Sequence, residues 1–100
     1  MYAKLADENM DNLFEAVLSL KTKRDCCRFF QDLCTISELK SMSQRMEVAL
    51  MLDKKCVYTD IAAKTGASTA TISRVNRCLH YGSDGYKTVI RRMKDGKSDV

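Results

Sequence analysis

Hydroxyl and basic side chains cluster in the second half of the chain. Residues 68–77 include four Ser or Thr, two Arg and no Asp or Glu. Hydroxyl groups and arginines bind phosphate oxygens and the edges of bases, so this segment is a candidate DNA-binding surface. The candidate DNA-binding residues are Lys64, Ser68, Thr69, Ala70, Thr71, Ser73, Arg74 and Arg77.

The surrounding sequence predicts a helix-turn-helix over about residues 58–79. Ile61 falls where the first helix faces inward, and Ala62 falls where the two helices cross closely and need a small side chain. Gly66 falls at the turn, where glycine adopts a positive φ without the steric cost that other residues have. Ile72 and Val75 fall where the second helix faces back to the first. The second helix would then present its hydroxyl-rich, basic side to solvent.

The turn of this unit has two agreements and two departures. Ala67 is the apolar turn residue, and Ser68 or Thr69 can cap the second helix through a side-chain oxygen. Thr65 stands where an apolar residue is usual, and Val57 cannot cap the first helix with its side chain. When the inward positions and the turn are taken together, the agreements outnumber the departures, so the helix-turn-helix is the preferred interpretation. An ordinary helical hairpin without a ligand is the alternative, but it does not explain the absence of acidic residues.

The positive charge of the chain is concentrated in the same half. The chain has 100 residues and a formal net charge of +4. Residues 1–53 carry a net −2, whereas residues 54–93 have eight basic and two acidic residues, a net +6. Such an asymmetry favours a polyanionic partner on that side, although basic helix faces also serve solubility.

Hydrophobic periodicity predicts an all-α fold of about six helices. Apolar residues recur at helical spacing over about 8–20, 25–34 and 36–53, and a short last helix follows residue 85. Thr35 and Glu38 match a capping box, and the helix after them could break near Ser41–Ser43. These stripes hold more large apolar side chains than one small chain buries easily, so either a well-filled core or a dimer is expected. No apolar run is long enough for a membrane span, and the N-terminus has no signal-peptide pattern.

The sequence offers no motif for catalysis or metal binding. Its five cysteines include no C-x-x-C pair, and His80 is the only histidine. An odd number of cysteines without a signal peptide indicates reduced thiols in the cytosol. Cys27 and Cys34 are seven residues apart and are interpreted as small buried side chains on one helical face. We therefore expect neither an enzyme nor a metal or cofactor.

The segment from Ile61 to Leu79 resembles the DNA-reading helix-turn-helix of the Trp repressor superfamily. Its sequence is Ile61-Ala-Ala-Lys-Thr-Gly-Ala-Ser-Thr-Ala-Thr-Ile-Ser-Arg-Val-Asn-Arg-Cys-Leu79. The segments 36–40, 44–49 and 78–82 are also similar, and the whole resemblance spans about residues 10–93, closest to the small YerC/YecD-type proteins of Gram-positive bacteria. The resemblance implies an intertwined homodimer, in which residues 1–100 form a single domain. Its dimerisation helices would lie at about 8–53 and 85–94, its helix-turn-helix at about 58–79 and a polar tail at 95–100.

The resemblance also implies where an effector would bind. The Trp repressor holds tryptophan between two arginines, whose positions match Arg45 and Arg74 here. A glycine follows the second arginine in that protein, but Val75 stands at that position in this chain and would fill the space for an indole. We expect no response to tryptophan, with either no effector or an unidentified small one at Arg45, Arg74 and Val75.

These observations predict a sequence-specific, double-stranded DNA-binding transcription regulator, working as a dimeric repressor. The expected location is the cytoplasm, associated with the nucleoid. The alternative is a helix-turn-helix that serves protein interactions and no longer binds DNA.

Overall fold

A computed structural model describes residues 7–98 of the chain. Within these residues the structure has six α-helices and no β-strand, which confirms the all-α prediction. The helices are α1 Glu8–Leu18, α2 Lys23–Leu33, α3 Ile36–Asp53, α4 Tyr58–Thr65, α5 Thr69–Tyr81 and α6 Gly85–Ser98. No helix among the described residues is long and apolar enough to cross a membrane.

Polar side chains begin the first three helices. Asp7 accepts a hydrogen bond from the Met10 backbone N–H at 2.7 Å at the start of α1, and Thr22 caps α2 in the same way. At the start of α3 the predicted capping box is confirmed. The Glu38 carboxylate accepts from the Thr35 N–H at 2.8 Å, and the Thr35 hydroxyl accepts from the Glu38 N–H at 3.1 Å. These bonds satisfy backbone donors that have no partner within the helix.

The capping box also changes the acidity of Glu38. The hydrogen bond from the Thr35 backbone, followed by that from the Thr35 hydroxyl, lowers the pKa of the Glu38 carboxyl below its ordinary value. Both bonds stabilise the ionised form of the carboxyl, which explains the direction.

The third helix is continuous from Ile36 to Asp53, without a break at Ser41–Ser43. No Gly or Pro interrupts this stretch, so nothing in the backbone chemistry ends the helix there. Two residues after its end, Lys55 takes the left-handed conformation with a φ of 67°. The Cys56 N–H then donates to the Met51 carbonyl at 3.1 Å, a Schellman closure.

The chain divides into two compact units between Leu39 and Lys40. In the first unit, neither α1 nor α2 has a buried residue. Phe14, Val17 and Leu18 line one apolar face of α1, and the Leu18 side chain is 83% exposed. The first unit therefore has amphipathic helices without a core of its own.

The second unit has its own hydrophobic core. The buried core residues are Val48, Ala49 and Met51 of α3, Ile61 of α4, Ala67 of the turn, Ile72, Val75 and Leu79 of α5, and Ile90 of α6. An ion pair between Lys94 Nζ and Asp53 Oδ2 at 2.6 Å joins α6 to the end of α3. The helix α6 extends to Ser98, four residues into the stretch predicted as a tail, and residues 99–100 lie outside the described part. That residues 1–100 form a single domain stays a prediction.

Candidate nucleic-acid interface

The helices α4 and α5 form the predicted helix-turn-helix. Ile61 and Ile72 are completely buried, and Val75 is buried beside them in the core of the second unit. Ala62 is partly buried and packs against this core. The inward positions that the sequence assigned to these residues are therefore confirmed, and they fix which side of α5 faces outward.

The turn depends on Gly66 for its conformation rather than for space. Its φ is 74°, and its N–H donates to the Ala62 carbonyl at 2.9 Å, which ends α4. A Cβ at Gly66 would meet only the Gln44 side-chain nitrogen, at 4.0 Å. The left-handed φ alone makes glycine the favoured residue here. Ala67, next in the chain, is buried as predicted.

Thr65, which departs from the usual apolar residue, stabilises the turn by hydrogen bonding. Its hydroxyl donates to the Ile61 carbonyl at 2.7 Å and accepts from the Ala67 N–H at 3.1 Å. The Gln44 amide of α3 donates to the Thr65 carbonyl at 3.2 Å. Sequence reasoning missed both roles. A polar residue at a position that is usually apolar was the available signal for Thr65, and nothing in the sequence pointed to Gln44.

Side chains differ in how they begin the two helices of this unit. Ser68 accepts a hydrogen bond from the Thr71 N–H at 3.1 Å and is the N-cap of α5, rather than Thr69. Val57 precedes α4 and makes no side-chain cap bond, as expected from its residue type. The first turn of α5 has no acidic residue, so the positive end of its helix dipole is not neutralised by a carboxylate there.

The predicted DNA-binding residues lie on α4, the turn and α5. Six of them are exposed and two, Thr71 and Ser73, are partly buried. The exposed residues are Lys64, Ser68, Thr69, Ala70, Arg74 and Arg77. The helix-turn-helix thus presents basic and hydroxyl groups to solvent at the start and along the length of α5, an arrangement suited to the major groove of DNA.

The three residues of the expected effector site differ in their exposure. Arg45 of α3 and Arg74 of α5 are exposed, whereas Val75 is only 1% exposed and belongs to the core. The isopropyl group of Val75 therefore already packs against protein atoms.

A groove on the same unit contains residues that sequence reasoning did not assign to the interface. It has a volume of about 420 Å³ and lies beside Tyr58 at the start of α4. Its remaining lining residues, Ser73, Asn76, Arg77, His80 and Tyr81, follow one side of α5. Two of the six, Ser73 and Arg77, are among the predicted DNA-binding residues. Of the other four, His80 could have been found from helical spacing, because residues 73, 77 and 80 share a helix face, whereas Tyr58 lies on the preceding helix.

The thiols of the five cysteines are all free, and no group of residues among 7–98 could hold a metal ion. Cys27 is exposed and Cys34 partly buried in the first unit, so the prediction that both are buried is wrong for that unit taken by itself. The physical reason is that α2 has no core to enter within its own unit.

Three comparisons with known proteins agree on the family of this chain. The sequence profile of the Trp repressor protein family matches residues 8–94. The uncharacterised protein YerC of Bacillus subtilis is 51% identical over 96 residues, covering 96% of this chain and 92% of that protein. A TrpR-like protein from Eubacterium eligens superposes with a TM-score of 0.88 at 55% identity, covering 92% of this chain and 95% of that one.

A solved structure from Staphylococcus aureus also has a TM-score of 0.88, at 46% identity, with 92% of each chain covered. The family match spans both compact units, since it extends from the start of α1 into α6. The chain belongs to the Trp repressor family.

Proposed function

We propose that the protein is a sequence-specific, double-stranded DNA-binding transcription regulator that works as a dimeric repressor. The observation that carries this proposal is the helix-turn-helix whose solvent side is basic, rich in hydroxyls and free of acidic residues in the first turn of α5. Membership of the Trp repressor family supports it. Binding to promoter DNA would exclude the transcription machinery from the same site.

The proposed roles of the residues follow from their chemistry and position. Lys64, Arg74 and Arg77 would contact phosphates, which supplies affinity without sequence preference. Thr69, Ala70 and Ser73 would lie against base edges in the major groove, where small side chains let the backbone approach and water bridges part of the contacts. Ser68 and Thr71, at the start of α5, would bind a phosphate at the positive end of the helix dipole.

The proposed dimer rests on the first unit. Its helices expose apolar faces and have no core of their own, which is expected of elements that pack against a second copy. In such a dimer the two α5 helices would enter successive major grooves, about 34–36 Å apart.

Val75 supports the proposal that tryptophan is not an effector. Its buried side chain stands where the Trp repressor has a glycine that leaves room for the indole. The protein then either binds an unidentified small effector at Arg45 and Arg74 or has no effector. Cytoplasmic, nucleoid-associated location is part of the same proposal.

The second candidate is a protein-interaction module that has kept the helix-turn-helix but not DNA binding. The exposed apolar faces of α1 favour a protein partner equally well. The observation of a stable dimer without salt-dependent affinity for DNA would favour this candidate over the first.

The test of the proposed function is the salt dependence of duplex binding for the wild type and Arg77→Ala. We expect the variant to bind all sequences more weakly and to lower the slope of log affinity against log salt by about one. Arg24→Ala is the matched control, because it removes the same charge from an exposed position on α2. A changed sequence preference with an unchanged slope would contradict the phosphate role of Arg77.

A further inference from the structure

The groove between Tyr58 and the second half of α5 combines a cation, amides, hydroxyls and aromatic rings. Arg77 supplies the charge, Asn76 and Ser73 supply neutral hydrogen-bonding groups, and Tyr58 and Tyr81 supply rings. No carboxylate of the described residues lines it. The groove is open to solvent and about 420 Å³ in volume, which suits a segment of an extended polyanion better than an enclosed small molecule.

Tyr81 is unusual in its exposure. Its side chain is 87% exposed at the end of α5, although tyrosine rings are commonly at least partly covered. The ring lies beside that of His80, with centroids 6.3 Å apart. Exposed aromatic rings beside a cation form a surface on which the sugars and bases of nucleic acids pack.

The hydrogen bond of His80 fixes the tautomer of its neutral ring. His80 Nδ1 lies 2.9 Å from the Asn76 backbone carbonyl. A carbonyl oxygen only accepts, so Nδ1 carries the hydrogen in this contact. The neutral ring therefore offers Nε2 as an acceptor, which repels a phosphate oxygen, whereas the protonated ring offers Nε2–H as a charge-assisted donor.

The groups facing His80 favour an anion once the ring is protonated. On α5 they are Arg77, which is cationic, and the phenol ring of Tyr81. On α4 the lining residue is Tyr58, and no described residue of α3 or α6 lines the groove. Within residues 7–98, no acidic side chain in the groove competes with a bound anion for these donors.

We propose that this groove holds one sugar-phosphate unit of the DNA backbone, with Arg77 and the protonated His80 on the phosphate and Tyr81 against the sugar. The inference rests on the proposed DNA binding and adds Tyr58, Asn76, His80 and Tyr81 to its surface. It makes DNA affinity dependent on pH through a single residue. Because the contact is with the backbone, it strengthens binding to every sequence alike.

The experiment measures binding of the full-length chain to a labelled duplex of about 30 base pairs of mixed sequence, long enough for two half-sites one helical turn apart. Salt and pH are varied separately. We expect wild-type affinity to rise about fivefold as the pH falls from about 7 to about 5.5, the range in which histidine gains its charge. His80 is the only histidine, so no other imidazole contributes to this change. For His80→Gln we expect no rise.

The tyrosine variants test the sugar contact without changing charge. We expect Tyr81→Ala to lower affinity about five- to tenfold with an unchanged salt slope, because apolar contact between the ring and the sugar adds affinity that counterion release does not measure. Tyr81→Phe is the matched control and should bind within about twofold of wild type, since it retains the ring. Helix content and melting temperature should stay unchanged in all three variants, because both side chains are exposed.

The outcomes separate this inference from the proposed function. Wild-type affinity for duplex DNA that depends on salt, with Tyr81→Ala and His80→Gln indistinguishable from wild type, would overturn the groove and leave the proposed function standing. No salt-dependent duplex binding by the wild type would overturn both. A pH effect that persists in His80→Gln would overturn the role of His80.

Discussion

The two compact units of this chain differ in what keeps their helices folded. The second unit, from Lys40 onward, packs α4, α5 and parts of α3 and α6 around nine buried residues. The first unit has two helices of 11 residues each and no buried residue in either. Isolated helices of that length are marginal in water, so the helices of the first unit depend on packing that its own residues do not supply.

The difference separates two requirements of a DNA-binding protein. A helix that reads DNA must be held rigidly, and Ile72 and Val75 hold α5 by burial within one chain. A dimer must place two such helices at a fixed distance, and that requires apolar surface that stays uncovered until a partner binds. The first requirement is met inside the second unit, and we assign the second requirement to the first unit.

Ile72→Ala should have the largest effect. Ile72 is fully buried between the helices of the helix-turn-helix. Removing its side chain leaves a cavity and should lower the free energy of unfolding by about 2–5 kcal/mol. Thermal or urea unfolding measures this, and Ile36→Ala, at an exposed isoleucine of the first unit, is the control. Equal losses for the two variants would break the comparison.

Phe14→Asp tests the apolar face of α1. The substitution places a charge on the face that we propose to pack against a second copy, and should weaken the dimer roughly a hundredfold because interface aromatics dominate binding energy. Analytical ultracentrifugation over a concentration series measures the change. Asn12→Asp is the control, because it adds the same charge at an exposed polar position of α1. A wild type that stays monomeric at all concentrations would contradict the assignment.

Gly66→Ala tests the turn within the second unit. Alanine meets no close atom there, but it must adopt a φ of 74°, so we expect a loss of about 1–2 kcal/mol in unfolding free energy. Gly96→Ala is the matched control. This glycine lies in α6 with open space around its Cβ position, and alanine there should stabilise by about 0.5–1 kcal/mol. The same sign of change for both would contradict the conformational role of Gly66.

The capping box of α3 should show the smallest effect, a dependence on pH. The pKa of Glu38 is lower in the folded chain, so its contribution is present above the ordinary value of 4.5 and is lost as the pH falls through the lowered value. The protection of the amide hydrogens at the start of α3, measured relative to their intrinsic exchange rates, should therefore fall as the pH falls. In Glu38→Gln this acid dependence should be absent, and its persistence there would contradict the role of Glu38.

Much of the helix-turn-helix could be predicted from the sequence, because its signals are local. The spacing of Ile61, Gly66 and Ile72 reports the crossing and the turn directly, and Ser68 had the residue type of an N-cap. The role of Gln44 could not be predicted, since it is 21 residues distant from the Thr65 carbonyl to which it donates. The groove was missed for a related reason, as Tyr58 joins the α5 residues only through the packing of α4.

Helix boundaries were predicted less well than helix faces. The last helix runs to Ser98, whereas the charged, polar sequence after residue 94 predicted a tail. Lysine and aspartate are tolerated in exposed helix ends, and the Lys94–Asp53 ion pair adds a tertiary contact that periodicity does not reveal. The continuity of α3 likewise follows from the absence of Gly and Pro more than from its apolar pattern.

The most direct test of the central claim is selection of DNA by the purified protein from pooled genomic fragments across a salt series, with sequencing of the fragments that survive at high salt. We expect enrichment of a motif with two-fold symmetry and half-sites about one helical turn apart. That result would establish specific binding by a dimer and identify its targets. Failure to retain DNA even at low salt would contradict the account and leave the protein-interaction module as the function of this fold.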